Sequence, residues 1–382
     1  MICKECELIS FRNIDNIKIE LCDGVNVIYG ENAQGKTNIL EGIYIFARGK
    51  SFRAFKDREM IKFGKEIAYS KIKAERKEGE LLLGVEISKN QNKKFFRNNQ
   101  RVNKTSEIIG EFRAVLFCPS HLGIIKDAPS VRRKFLDVAI SQLRPVYIKM
   151  LSDYQNILES RNAILKMNDY ERQNYMEMLD IYSKQLSYTC ADIAKIRLEY
   201  VKKLDYWVSL FIDEMTEGKE SASVSYESNA SELDFMGEDT LFQRYFSLLT
   251  ENYEREIKAG ATLFGIHKDD LKIEINKRDA RFFSSQGQGR SLALAMKMAE
   301  GEISREAKGE YPVFLLDDVL SELDEKRKAF ILSKIKNRQV IITGCELADF
   351  ENATDYNFIE IKDGKIAQKN EDEEKTVPLG TV

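Results

Sequence analysis

The 382-residue sequence predicts an α/β fold: a mixed sheet with flanking helices, interrupted by an inserted α-helical arm. Three observations carry this. Strand-like apolar runs fill residues 1 to about 118 and return from about Gly265. Between them, from about Ser130 to Glu217, apolar residues recur at three-four spacing, and Pro145 is the only proline. The first strand-rich part also holds GENAQGKT, Gly30 to Thr37, set between an apolar run and a helical one.

Taken in order, Gly24-Val25-Asn26-Val27-Ile28-Tyr29 reads as a buried strand opened by a turn residue, and Thr37 to Phe46 has helical spacing. Leu81 to Ile87, then Lys93-Lys94-Phe95-Phe96-Arg97 and Asn98-Asn99, give a hairpin signal. Val115-Leu116-Phe117 is a strand stopped by Pro119. Tyr147 to Leu165 and Leu179 to Phe211 predict two amphipathic helices, the second of about 40 residues or ~60 Å. Residues 218–240 read as loop or weak strand. Leu271–Asn276, Tyr311–Leu316 and Val340–Ile342 are strand-like, and Glu371-Asp372-Glu373-Glu374-Lys375 is an acidic tail with the composition of disorder. The expected division is a head from 1–120 and 262–368, an arm over 121–261, and a tail over 369–382.

Composition narrows the function classes. A formal net charge of −3 gives no global signal for nucleic acid, so any such binding needs local basic surface. No apolar run approaches the roughly 18 residues of a membrane span. Cys3 and Cys6 form C-x-x-C, but no second pair completes a zinc site, so two ordinary thiols are expected. With only His121 and His267 available, histidine-based metal sites and triads are disfavoured.

The pattern G-x-x-x-x-G-K-T is that of a Walker A loop. Glycines let successive backbone N–H groups turn inward onto phosphate oxygens. The cradle is Gly30, Glu31, Asn32, Ala33, Gln34, Gly35, Lys36, Thr37 and Asn38. Lys36 reaches the terminal phosphates of ATP and Thr37 is a Mg²⁺ ligand. Val313-Phe314-Leu315-Leu316-Asp317-Asp318 fits a central parallel strand ending in a Walker B pair. Asp317 is the second metal residue, and Asp318 stands where a carboxylate polarises the attacking water. Lys36, Asp317 and Asp318 are thus the expected catalytic groups.

Ser285-Gln286-Gly287-Gln288 opens a helical run and resembles the signature of ABC-type ATPases; Ser321-Glu322-Leu323-Asp324 resembles their D-loop, with Asp324 as its carboxylate. The resemblance implies two ATP molecules sandwiched between two chains, with each signature acting on its partner's nucleotide. After Val340-Ile341-Ile342, where many ABC proteins carry histidine, this chain has Thr343-Gly344, and no glutamine stands between Phe117 and His121.

The sequence as a whole resembles the RecF family of bacterial recombination-repair ATPases, relatives of the SMC heads. The resemblance runs from Leu8-Ile9-Ser10-Phe11-Arg12-Asn13 almost to Gly364. It includes Gly49-Lys50-Ser51-Phe52-Arg53, Pro129 to Asp137 and Gly265-Ile266-His267-Lys268-Asp269-Asp270. It implies an ABC/SMC-type P-loop ATPase head with a short arm, ATP-dependent dimerisation, and binding to double- and single-stranded DNA at gap junctions. It further implies partnership with RecR and RecO in loading the recombinase, a part in replication and the SOS response, and a cytoplasmic location. Hydrolysis is expected to be weak, stimulated by DNA, and to reset the dimer. Asp318 replaces the usual glutamate and is shorter by one methylene, about 1.5 Å, which also predicts slow turnover.

Candidate DNA contacts are Arg53, Lys56 and Arg58, the hairpin Lys93-Lys94-Phe95-Phe96-Arg97 with Arg101 and Lys104, and Arg132, Arg133 and Lys134. A transporter's nucleotide subunit shares the nucleotide motifs but expects the missing histidine and a membrane-coupling surface. A small-molecule kinase leaves Ser285–Gln288 and Ser321–Asp324 without a purpose. An SMC-like or nuclease-associated head expects a long coiled coil, and only about 140 residues separate the two β-rich halves.

Overall fold

Alternating apolar and polar residues form the first strands, Ile2–Phe11 (β1) and Ile14–Glu20 (β2), an antiparallel pair joined by a turn at Arg12. The structure, a computed structural model, describes residues 1–167, 174–230, 238–344 and 356–367. Val25–Tyr29 (β3) leads into Lys36–Arg48 (α1). Ile67–Arg76 (β4), Gly79–Ser88 (β5), Lys94–Arg97 (β6) and Gln100–Val102 (β7) extend the first pair into a six-stranded sheet, ordered β2-β1-β4-β5-β6-β7. Asn98 and Asn99 turn the β6–β7 hairpin with φ of 50° and 64°, as a two-residue type I′ loop requires.

Ala114–Phe117 (β8) precedes the helices Pro129–Leu143 (α2), Val146–Leu165 (α3) and Tyr175–Thr216 (α4). Ala222–Glu227 (β9), within the stretch read as loop or weak strand, pairs antiparallel with a later strand. Then follow Glu238–Glu251 (α5), Tyr253–Ala259 (α6), Asp270–Ile275 (β10), Arg278–Asp279 (β11) and the short Ala280–Phe283 (α7). The chain continues through Gln286–Lys308 (α8), Val313–Asp317 (β12), Glu325–Lys334 (α9), Val340–Thr343 (β13), Asn357–Lys362 (β14) and Lys365–Ile366 (β15). The acidic tail and Cys345 lie outside the described residues.

The second sheet, ordered β15-β14-β3-β13-β12-β8, joins the two ends of the sequence. Its inner strands run parallel, β3 between β14 and β13, and β12 between β13 and β8. They are apolar on both faces, as strands covered on both sides must be. Successive residues serve different cores: Phe314, Leu316, Val340 and Ile342 pack with α2, α4 and α8, while Val313, Leu315 and Ile341 pack with α1 and the antiparallel sheet. Cys3 and Cys6 are buried in the latter core, and loss of solvent pushes the Cys3 thiol up to about 12.

The long helix α4 has 42 residues and spans about 63 Å. Near its start, Tyr175 and Leu179 pack with Ile164 and Leu165 of α3 in a small separate core. Fully buried Arg161 of α3 donates to Ser183, Thr262 and Glu256, and Arg197 ties α4 to Asp137 and Tyr147. These partners compensate cations that would otherwise be expensive to desolvate. The later part of α4 packs against α8 and α9: Trp207 Nε1 donates to Glu306 of α8 at 2.9 Å, and Lys334 of α9 pairs with Glu214 at 2.5 Å.

Candidate nucleotide site

The phosphate loop follows the C-terminal end of β3, where parallel sheets place ligands. Its backbone demands glycine at two points. Gly30 has φ +139°, and a Cβ there would meet the Ile361 carbonyl oxygen at 2.3 Å. Gly35 has φ +109°, and a Cβ would meet Asn13 Oδ1 at 2.9 Å. Asn13 braces the loop by donating to the Ala33 carbonyl at 2.8 Å and accepting from Asn38 at 2.6 Å. On the other side, Gln34 Oε1 accepts from the Asp363 N–H at 2.5 Å, pinning the loop to the β14–β15 turn.

Lys36 arches over the loop and donates to the Gly30 and Glu31 carbonyls at 2.5 and 3.0 Å. The cleft beside it, about 230 Å³, is lined by Asn32 to Asn38, Arg53, Asp318, Thr343 and Gly344. A glycine cradle that side chains would fill, with an ammonium at its mouth, fits a nucleotide polyphosphate. Thr37 Oγ1 donates to Asp317 Oδ1 at 2.7 Å, and Thr343 Oγ1 donates to the same oxygen at 2.8 Å. A hydroxyl and a carboxylate converging beside the cradle are the hard oxygen donors Mg²⁺ takes. Thr343, where a histidine is common, thus supports Asp317.

Asp318 has φ +50°, and its carboxylate sits against Gly344, where a Cβ would meet Oδ1 at 2.2 Å. Partial desolvation and the neighbouring charge of Asp317 raise its pKa, against a hydrogen bond from Ser321. Both effects move the group toward use as a base.

Ser285 caps α8: its Oγ accepts from the Gln288 N–H at 3.1 Å, and Gln288 Oε1 accepts from the Ser285 N–H at 2.9 Å. The signature's serine and last glutamine are therefore also a capping box. Gln286 and Gly287 open the helix between them. Gln288 Nε2 donates to Glu220, just beyond α4, at 2.7 Å. Arg327 donates to the Gly287 carbonyl and Ser291 Oγ, both at 2.8 Å, and pairs with Asp324, the N-cap of α9. Signature and D-loop are thus tied within one chain. Among the described residues, none of Ser285–Gln288 lines the phosphate cleft.

Two groups that local pattern does not single out brace these segments. Glu41, on α1, is fully buried; it takes a bidentate pair from Arg12 at 2.7 and 2.9 Å and bonds to Ser51 and Arg53. Burial alone would push its pKa up, but these bonds hold it below the ordinary carboxylate value. Arg327 is the other; its only sequence signal is its place three residues after Asp324.

The candidate DNA residues separate by environment. Arg53 faces the nucleotide cleft and also donates to Asn38 at 2.5 Å. Arg132 is buried, bonding Asp270 through two nitrogens at 2.7 Å and the Asp127 carbonyl through a third at 2.8 Å; its side chain is not open to a phosphate, because its donors are spent inside the fold. Arg133 is half-buried and donates to the Asp269 carbonyl at 2.7 Å. Lys56, Arg58, Arg97, Arg101, Lys104 and Lys134 are exposed, Arg97 beside Glu111 at 3.0 Å. In the hairpin Phe95 points into the core and Phe96 is half-buried.

Among the described residues no helix is long and apolar enough to cross a membrane. Residues 2–368 match the family model of the RecF/RecN/SMC N-terminal domain. The DNA replication and repair protein RecF of Clostridium perfringens strain SM101 is 39% identical over 357 residues, 94% of this chain and 96% of the relative. That of Clostridium acetobutylicum is 38% identical over 370 residues, 96% of this chain and all of the relative. The recombination mediator RecF of the RecFOR pathway, solved with ATPrS, superposes with a TM-score of 0.89 at 37% identity, covering 97% of this chain and 98% of that one. An SMC head from Pyrococcus furiosus, at 17% identity and a TM-score of 0.56 over 96% of this chain and 95% of that one, shares the fold. On these matches, and on a mixed α/β architecture with an ABC/SMC-type head, the chain belongs to the RecF family.

Proposed function

We propose that this chain is a DNA-binding ATPase of recombinational and replication-gap repair that dimerises on ATP. Gly30 to Asn38 would hold the phosphates, and Thr37 and Asp317 would hold Mg²⁺, which would neutralise phosphate charge. Lys36 would contact the terminal phosphate, and Asp318 would orient the attacking water. Each chain's Ser285–Gln288 would complete the site on the other, with Asp324 at the seam. Hydrolysis is slow and resets the dimer. RecR and RecO are the proposed partners in recombinase loading, in the cytoplasm. We divide the chain into a head (1–120 with 262–368) and an arm (121–261) whose root is α2 and the later part of α4.

One observation carries the reading. Asp317 and Thr343 complete the phosphate site from within the chain, whereas Ser285 caps an exposed helix end tied through Arg327 to Asp324 and absent from the cleft lining. A signature built to this standard and left outward suits a nucleotide held elsewhere. Solved RecF structures with ATPrS and ATP support the choice of nucleotide. For DNA we favour the exposed Lys56, Arg58, Arg97, Arg101 and Lys104, assign Arg53 to the nucleotide side and leave Arg132 out.

The test is sedimentation of wild type, Ser285→Arg and Lys36→Ala with ATP, with and without a gapped duplex. ATP should dimerise only the wild type, and the duplex should strengthen that dimer. A wild type that binds ATP yet stays monomeric and ignores DNA overturns the reading.

A further inference from the structure

Large apolar rings left in water are informative when they gather around a functional site. Phe55 is fully exposed, and Phe282 and Phe283 are 70% and 65% exposed. Phe283 precedes Ser285 by two residues, so their Cα atoms are at most about 7.6 Å apart. Phe55 follows Arg53 by two residues, and Arg53 lines the nucleotide cleft. One aromatic group therefore flanks the signature, and the other flanks the cleft. The Arg281 guanidinium lies 5.4 Å from the centre of the Phe282 ring, and the Phe55 N–H donates to Glu59 at 3.2 Å.

We infer that Phe282 and Phe283 of one copy pack against the Phe55 loop of a second copy, forming an aromatic rim around each sandwiched nucleotide. The inference rests on the trans-acting signature proposed above. If Ser285 meets the second copy's nucleotide, chain connectivity carries Phe283 into the residues around that cleft, where Arg53 and Phe55 stand. Two-fold symmetry repeats the contact at the other site. At about 150 Å² for each ring, six rings remove on the order of 900 Å² from water, over half of what a stable interface buries. A rim of this kind also keeps water from the phosphates, which strengthens the charge interactions inside.

The experiment compares wild type, Phe55→Ser, the double variant Phe282→Ser/Phe283→Ser, their combination, and Ile181→Ser. Ile181, 55% exposed on the arm, is the control. Sedimentation equilibrium with Mg²⁺ and the slowly hydrolysed analogue ATPγS gives the dimer Kd. Fluorescent-ATP titration at high dilution gives monomer affinity, and thermal melting checks folding. Monomer affinity should stay within about two-fold, while the dimer Kd rises about 10- to 100-fold in both rim variants and not in the control. In the combined variant the effects should fall short of multiplying, because both sides of one contact are gone. A dimer Kd unchanged in the rim variants beside a dimerising wild type overturns the inference alone. So does an unchanged dimer Kd beside weakened binding of a labelled single strand, read by fluorescence anisotropy, which would assign the rings to base stacking. A wild type that does not dimerise removes the dimer reading and this inference together.

Discussion

Thr37 Oγ1 and Asp317 Oδ1 lie 2.7 Å apart although 280 positions separate them in the sequence. The pair joins the first residues of α1 to the end of β12, so the proposed metal site forms only when these two distant stretches of the sequence fold together.

Its support is testable. Thr343 donates to the same carboxylate oxygen from a buried position. Thr343→Val keeps the shape and removes the hydrogen bond, and Mg²⁺-dependent ATP affinity should fall about 10- to 100-fold. Asp317→Asn should fall further. Calorimetric titration of ATP with Mg²⁺ and with EDTA checks both; equal affinities in the two conditions for wild type would show that no metal contributes to ATP binding.

Glu41 links pH to stability. Its folded pKa lies below the ordinary 4.5, so below that value the unfolded chain binds more protons than the folded one. The contribution is full above the ordinary value and is lost as the pH falls through the folded one. Arg12→Ala removes the bidentate partner; it should cost about 1–3 kcal/mol near neutral pH and flatten the acid side of the stability curve. Urea unfolding from pH 7 to 3 measures both.

If Asp318 orients the attacking water as proposed, its titration sets the acid limb of hydrolysis. Because its pKa is raised from 3.8, the rate should climb with pH over a range displaced upward from that of a free aspartate. Asp318→Asn should abolish the limb. Gly344→Ala displaces the carboxylate by a direct clash and should slow turnover about 100-fold. An unchanged pH–rate profile in Asp318→Asn would remove the residue from the chemistry.

Arg327 holds signature and D-loop together, so Arg327→Ala should leave monomer ATP affinity unchanged and reduce dimer-dependent hydrolysis about 10- to 100-fold. Arg327→Lys should rescue little, since one ammonium cannot reach the Gly287 carbonyl, Ser291 and Asp324 at once.

For DNA, Arg101→Ala should weaken binding about equally across sequences and lower the slope of log affinity against log salt by roughly one. Arg132→Ala should instead destabilise the fold, because Asp270 loses its buried partner. Fluorescence anisotropy over a salt series, beside melting curves, separates the two.

Much of this was legible in the sequence because it is written in short-range pattern. Strand–loop–helix around Gly30, the asparagine pair at the hairpin and the three-four spacing of α4 each fix local geometry within a few residues. What was not legible is long-range side-chain commitment. Arg132 and Arg101 look alike as arginines in the sequence, yet one is buried by Asp270 and the other faces water. Glu41 reads as a polar position on a helix until Arg12, Ser51 and Arg53 close over it. Ser285 to Gln288 resembles a signature in the sequence, but its part as a helix cap emerges only with the backbone in place.

The composite site is tested most directly by mixing two inactive chains. Lys36→Ala lacks a working phosphate loop, and Ser285→Arg lacks a working signature. In a mixed dimer one site combines both defects, while the other pairs the intact loop of one chain with the intact signature of the other. ATP hydrolysis should therefore be absent in each variant alone and return in the mixture. A mixture as inactive as its components, with mixed dimers verified by sedimentation, would contradict the trans arrangement.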